Sequence, residues 1–254
     1  MINQIIEGDC LEVLKTLPSE IFDLLYTNPP FGITNAKWDS PLKWDKLWPE
    51  IWRVMKPRGA VVLHSSMPFT FDLVATERTY FRYNYIWVKN IATGFFNVKN
   101  APLRKHEDIC VFYRKQPTYN PQMAGDELNP KRIVKHGGSE EYWGKAKFEG
   151  KWGKLDYENG HRGRYPSTIL FYPTKKSSPN EEDAGTRNDD MISFFIKTYS
   201  NKGDNVLNIT SYKGDTEIIS KKLGRNFIGI EKQPMYAQIA KERIERMSNT
   251  LFVP

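Results

Sequence analysis

The chain has 254 residues, enough for one large α/β domain or a domain carrying a sizeable insertion. A net charge of +7 with 13% aromatic residues favours a polyanionic partner, and two cysteines, Cys10 and Cys110, are too few for a disulfide framework or a zinc site and fit a reducing compartment. No apolar run approaches the ~20 residues of a membrane span, and Met1 to Leu14 lacks the basic and apolar regions of a signal peptide, so a cytoplasmic protein with no membrane contact is expected.

In chain order, Ile5-Ile6 reads as a short strand stopped by Gly8-Asp9. Leu11 to Leu17 places apolar residues at helical spacing and ends before Pro18, with Asp9 as a candidate N-cap. Phe22 to Tyr26 is a second strand. Trp44, Leu47, Trp48, Ile51, Trp52 and Met55 share one helical face, so the tryptophan row reads as core, and Lys56-Pro57-Arg58-Gly59 reads as the end of that helix. Ala60 to His64 is a continuous apolar run of the kind buried on both faces of a parallel sheet, with His64 a structural histidine at its end. Phe69 to Thr79 reads as helix, and Tyr83 to Val88 and Asp108 to Tyr113 as strands. After the middle of the chain come a helix from Met191 to Tyr199, a strand from Asn205 to Ile209 and a helix from Thr216 to Leu223. A strand from Asn226 to Ile230 ends on Glu231, and an amphipathic helix runs from Pro234 to Met247. The alternation of strands and helices predicts an α/β sheet with crossover helices.

Between about Arg114 and Ser178 the periodicity fades. Basic residues (Lys131, Arg132, Lys135, His136, Lys145, Lys147, Lys151, Lys154, Arg162, Arg164) interleave with Trp143, Phe148, Trp152 and Tyr157. A structureless loop of that length does not suit a compact domain, so this stretch reads as a subdomain or an insertion that orders on a partner.

The second strand leaves the sheet through Asn28-Pro29-Pro30-Phe31-Gly32. Each proline fixes its own φ and keeps the preceding residue extended. The stiffened segment offers the Asn28 side chain and the Pro29 carbonyl as two fixed acceptors with the Phe31 ring beside them, a receptor for an exocyclic amino group on a planar base.

With Gly8-Asp9-Cys10-Leu11-Glu12-Val13-Leu14, Asp23 to Gly32, Lys56-Pro57-Arg58-Gly59-Ala60 and Gly224 to Glu231, the chain resembles the DNA amino methyltransferases (adenine-N6 or cytosine-N4), in the permuted order with the catalytic motif first. The resemblance covers nearly the whole chain. It implies a methyltransferase-like Rossmann sheet with an inserted target-recognition region: catalytic half 1–113, recognition insertion 114–182, cofactor half 183–254. It also implies base flipping of duplex DNA, as in restriction-modification. Asn28, Pro29, Pro30 and Phe31 would be catalytic, with positioning rather than a general base supplying most of the rate. The implied cofactor is S-adenosylmethionine, bound by Asp9, Asn208, Gly214 and Glu231, with no metal. Dimers are common in such a family, so a homodimer or a pairing with an active relative is compatible with it.

The chain departs from the family in two places. In the loop after Leu207, Asn208 stands where an Asp is expected, Tyr212 where a glycine is, and Lys213 where a small polar residue is; Gly214 remains. A tyrosine ring at a close-approach glycine is expected to fill space the cofactor needs. Lys213 reads as an exposed loop lysine, or as a contact for an anionic group. Asp183 to Asn188 replaces a His-Pro-Thr-x-Lys-Pro stretch. Three readings follow: a working adenine-N6 methyltransferase with an atypical loop, a methyltransferase-like protein that binds nucleic acid or a partner without transfer, or an enzyme for a modified cofactor whose added carboxylate pairs with Lys213 or Arg187.

Overall fold

A computed structural model describes residues 2–34, 36, 38–128, 162–174 and 188–250. The chain forms two compact units, Met1–Asn120 with Ser167–Pro254, and Pro121–Pro166. In the second unit β6 (Ala124–Leu128) and β7 (Arg162–Arg164) pair antiparallel.

The first unit holds β1 (Gln4–Glu7), α1 (Cys10–Thr16), β2 (Phe22–Thr27), α2 (Trp44–Val54), β3 (Met55–Ser65), α3 (Phe69–Thr76), β4 (Phe81–Thr93) and β5 (Arg104–Phe112). After the second unit come β8 (Ile169–Phe171), α4 (Asp189–Tyr199), β9 (Asn205–Asn208), α5 (Asp215–Lys222), β10 (Asn226–Glu231) and α6 (Pro234–Thr250). The sheet has eight strands in the order β1-β10-β9-β2-β3-β5-β4-β8. Neighbours from β1 to β3 run parallel, β5 is antiparallel to both β3 and β4, and β8 adds a parallel edge to β4.

Successive strand residues point to opposite faces, and both faces are covered. On one side Leu25, Val61, Leu63 and Leu207 pack with Leu14 of α1 and with Leu47, Trp48 and Ile51 of α2. On the other, Leu24, Tyr26, Val62 and Val206 pack with Met191, Phe195 and Ile196 of α4. Most of these side chains are fully buried, each contributing on the order of 2 kcal/mol. The i, i+4 tryptophans stack in this core, Trp44 on Trp48 at 5.4 Å and Trp48 on Trp52 at 5.7 Å. His64 is fully buried, with its Nε2 2.7 Å from the Tyr26 hydroxyl.

Several boundaries differ from the sequence expectation, the helix from Phe69 ending at Thr76 and the strand expected over Tyr83 to Val88 running Phe81–Thr93; the largest change is at the start of β3. Lys56 to Gly59 belongs to β3, which begins at Met55 directly after α2. The pairing with β2 jumps from Phe22↔Met55 to Leu24↔Ala60, so these residues form an irregularity that absorbs Pro57, which has no N–H to give a ladder.

The parallel register brings four strand ends to one edge of the sheet. Asn28 follows β2, Asn208 ends β9, Glu231 ends β10, and Gly8-Asp9 follows β1. The Gly8 amide bonds the Glu231 carbonyl at 2.9 Å, and the Ser211 amide bonds the Ile230 carbonyl at 2.8 Å, which holds the loops after β1 and β9 against β10. Such carboxyl edges are where open α/β sheets bind ligands.

Candidate active site

The segment leaving β2 is held from below and from in front. Thr27 donates its hydroxyl to Asn208 Oδ1 at 2.7 Å and lies 2.6 Å from the Thr210 hydroxyl. Thr210 in turn donates to the Asn28 carbonyl at 3.2 Å, and its amide bonds Asn208 Oδ1 at 3.2 Å. The end of β2 and the loop after β9 are thus one hydrogen-bonded unit. Asn28 and Phe31 are half-buried, Pro29 is buried, and the Phe31 ring stacks on Phe69 with centroids 5.5 Å apart.

In front, Asp39 anchors the turn that follows Phe31. Its carboxylate accepts the amides of Gly32 (2.8 Å), Ile33 (3.0 Å) and Thr34 (2.8 Å) and the Thr34 hydroxyl (2.7 Å). Burial pushes this acid's pKa up, but the hydrogen bonds from Thr34, Gly32 and Ile33 outweigh it and hold the carboxyl below its ordinary value. Gly32 adopts φ +68°, and a Cβ there would stand 2.2 Å from Pro41 Cγ, so the turn requires glycine.

The loop after β9 keeps a glycine-like backbone at its substituted position. Tyr212 has φ +51° and donates its amide to Glu231 Oε2 at 2.7 Å, while Glu231 Oε1 accepts the Gln233 amide at 2.8 Å. The Tyr212 ring lies against Tyr236 of α6, with centroids 4.4 Å apart. Burial, with Tyr236 alongside, pushes the Tyr212 phenol up to about 12. Lys213 is buried rather than exposed as expected. Its ammonium stands 5.3 Å from the Tyr212 ring centroid, and its carbonyl accepts from Arg243, which also pairs with Asp215 at 2.8 Å. Arg243 of α6 holds the backbone of the residue, and the Tyr212 ring takes its ammonium. Gly214, at φ +80°, directs its missing Cβ at Ala240 of α6, where a Cβ would sit at 3.0 Å.

Beneath the loop, Glu217 is fully buried and accepts the Ser211 hydroxyl at 2.8 Å. Burial pushes this carboxyl up to about 7, against the hydrogen bonds from Ser211 and Asn208. A Cβ on Gly229 would come within 2.3 Å of Glu217 Oε1, so glycine in β10 makes the room for this acid.

These parts border one cleft of about 1460 Å³. Of the residues singled out from the sequence, Asp9, Asn28, Pro29, Pro30, Phe31, Asn208 and Glu231 line it, as do Tyr212 and Lys213. Asp9 also caps α1, accepting the Leu11 amide at 3.0 Å, and meets Lys232 at 3.3 Å. Asp183 to Arg187 lie outside the described residues; Asn188 caps α4 by accepting the amides of Asp190 and Met191. The basic and aromatic residues Lys131 to Tyr157 also lie outside the described residues, and Arg162 and Arg164 belong to β7.

Sequence reasoning missed Thr27, Asp39, Thr210 and Glu217. It also missed Lys89 and Glu107, a buried ion pair at 3.1 Å on the same cleft, and Arg104, which donates to Ser66 at 3.2 Å. Lys89 carried the one usable signal, a charge continuing the apolar strand Tyr85 to Val88.

A family model described as DNA methylase, of the N6/N4 type, matches residues 22–242. The type II methyltransferase M.HpaI of Haemophilus parainfluenzae is 23% identical over 264 residues, 98% of this chain and 76% of that protein. The DNA adenine methyltransferase YhdJ of Escherichia coli (strain K12) is 24% identical over 269 residues, 96% of this chain and 83% of its own length. Among solved structures, the cytosine-N4-specific PvuII DNA methyltransferase superposes with a TM-score of 0.65 at 15% identity, over 96% of this chain and 90% of that one. The M1.HpyAVI–SAM complex superposes with a TM-score of 0.57 at 19% identity, over 94% and 97%. At these identities the structural likeness concerns the fold.

Proposed function

The chain belongs to the N6/N4 DNA methylase family, and on that premise we propose that it is a DNA amino methyltransferase of the adenine-N6 type. The observation that carries the reading is a single cleft lined by both the acceptor segment Asn28 to Phe31 and the strand-end acids Asp9 and Glu231. The adenine preference rests on the kinship with the E. coli adenine methyltransferase.

In this reading a base extruded from duplex DNA stacks on Phe31, whose far side is supported by Phe69. The Asn28 side-chain oxygen and the Pro29 carbonyl accept the two amino hydrogens. That draws the nitrogen lone pair out of conjugation and aims it across the cleft. The prolines keep both acceptors stiff, and the Thr210 bond to the Asn28 carbonyl fixes the peptide between them. No side chain with a pKa near neutrality is needed to take the proton before attack.

The cleft fits S-adenosylmethionine at its other end. Glu231 is held by two backbone amides with its carboxylate on the cleft, suited to accept ribose hydroxyls, and Asp9 stands on the same side for the adenine. When bound there, the cofactor supplies the electrophilic sulfonium methyl. Tyr212 keeps the backbone turn of a glycine and borders the cleft, its ring against Tyr236; in this reading the added side chain makes cofactor affinity weaker than a glycine would give.

That ring favours a second reading, a methyltransferase-like protein that binds nucleic acid without transfer. Calorimetric titration with S-adenosylmethionine separates the two. Saturable binding supports transfer; no heat at millimolar ligand, with DNA still bound, leaves only the second reading.

A further inference from the structure

We propose that Trp38 is a stacking contact for DNA at the mouth of the cleft, covering a base beside the extruded one; this rests on the reading that the cleft receives a flipped base. Trp38 is 71% exposed, an unusual state for the largest apolar side chain, yet it borders the same cleft as Asn28, Pro29 and Phe31. The next residue is Asp39, buried and bonded to the Gly32, Ile33 and Thr34 amides and the Thr34 hydroxyl. The Asp39 amide also closes onto the Ala36 carbonyl at 2.9 Å. Asp39 therefore ties the turn that follows Phe31 to the backbone beside Trp38, and both residues border the cleft.

The chemistry of the rim selects the occupant. Among the described residues, three exposed cations, Lys43, Arg104 and Lys232, line the same cleft, Lys232 in contact with Asp9, and the chain carries +7 overall. An exposed indole on a cleft that also carries cations suits a nucleobase flanked by phosphates. Every base has a π-face, so this contact adds affinity without sequence preference.

The test is fluorescence anisotropy with a labelled duplex holding one mismatched adenine, whose extrusion costs least. Wild type, Trp38→Ala and Trp38→Phe are titrated at low salt. Trp38→Ala is expected to weaken binding roughly tenfold or more, and Trp38→Phe by only a few-fold, since it keeps a ring. Thermal midpoints should match, because the side chain is mostly exposed. If wild type binds and Trp38→Ala binds equally well, the stacking contact is overturned while the base-flipping reading stands. If Trp38→Phe falls as far as Trp38→Ala, stacking is overturned too. Wild type failing to bind any duplex removes both. Trp38→Ala abolishing self-association in sedimentation, with DNA affinity unchanged, assigns the residue to a second copy and overturns the proposal.

Discussion

The Thr210 hydroxyl donates to the Asn28 carbonyl at 3.2 Å, across 182 residues of sequence. This bond ties the loop after β9 to the acceptor segment after β2 and is expected to couple the two ends of the cleft. Thr210→Val keeps the shape and removes the hydroxyl. It should lower stability by about 1 kcal/mol in a urea titration. It should also lower kcat more than it raises KM for DNA, while Thr210→Ser restores both. Equal kcat in the valine variant would break the coupling.

Asp39 gathers three amides and a hydroxyl around one carboxylate. Asp39→Ala should cost about 2 kcal/mol and speed hydrogen exchange at Ile33 and Thr34. The folded pKa lies below the ordinary aspartate value, so the stabilisation is present above that value and is lost as pH falls through the lowered one. Protection of these amides relative to their intrinsic exchange should therefore be steady at neutral pH and fall only in acid.

Glu217 carries the opposite sign. Its folded pKa is pushed up to about 7 from 4.5, so the folded protein keeps a proton that the unfolded chain releases. Stability should fall as pH rises between about 4.5 and 7, by on the order of 3 kcal/mol, and level off above. Glu217→Gln cannot ionise and should lack this slope. Urea midpoints at several pH values check it: the gap between glutamine variant and wild type should widen with pH, and a constant gap would contradict the assignment.

The layered sheet was legible because its strands are written in local runs. Ala60 to His64 is apolar without a break, and Leu24, Leu25 and Tyr26 alternate onto two helical layers. Asn28 to Phe31 was legible because two prolines act on the chain locally. What stayed hidden depends on distant partners. Asp39 reads as an ordinary loop acid until the turn folds back on it, and Glu217 reads as a solvated first-turn acid until Gly229 opens space beneath the loop. Lys213 looked exposed because nothing nearby in sequence shows α6 arriving with Tyr236 and Arg243.

Tyr212 offers a direct test of the loop after β9. It holds φ +51°, which a glycine adopts without strain, and the residue borders the cleft with its ring against Tyr236. Tyr212→Gly should raise affinity for S-adenosylmethionine about tenfold in calorimetry, given roughly 1–2 kcal/mol for the space gained. An unchanged dissociation constant would show that the ring does not obstruct the cofactor.

The most direct measurement is mass spectrometry of nucleosides from unmethylated DNA incubated with the protein and S-adenosylmethionine. Wild type should yield N6-methyldeoxyadenosine, and Asn28→Ala, which removes the side-chain acceptor, should yield at most about a hundredth as much. No methylated nucleoside from wild type, under conditions where both cofactor and DNA are bound, would contradict the account.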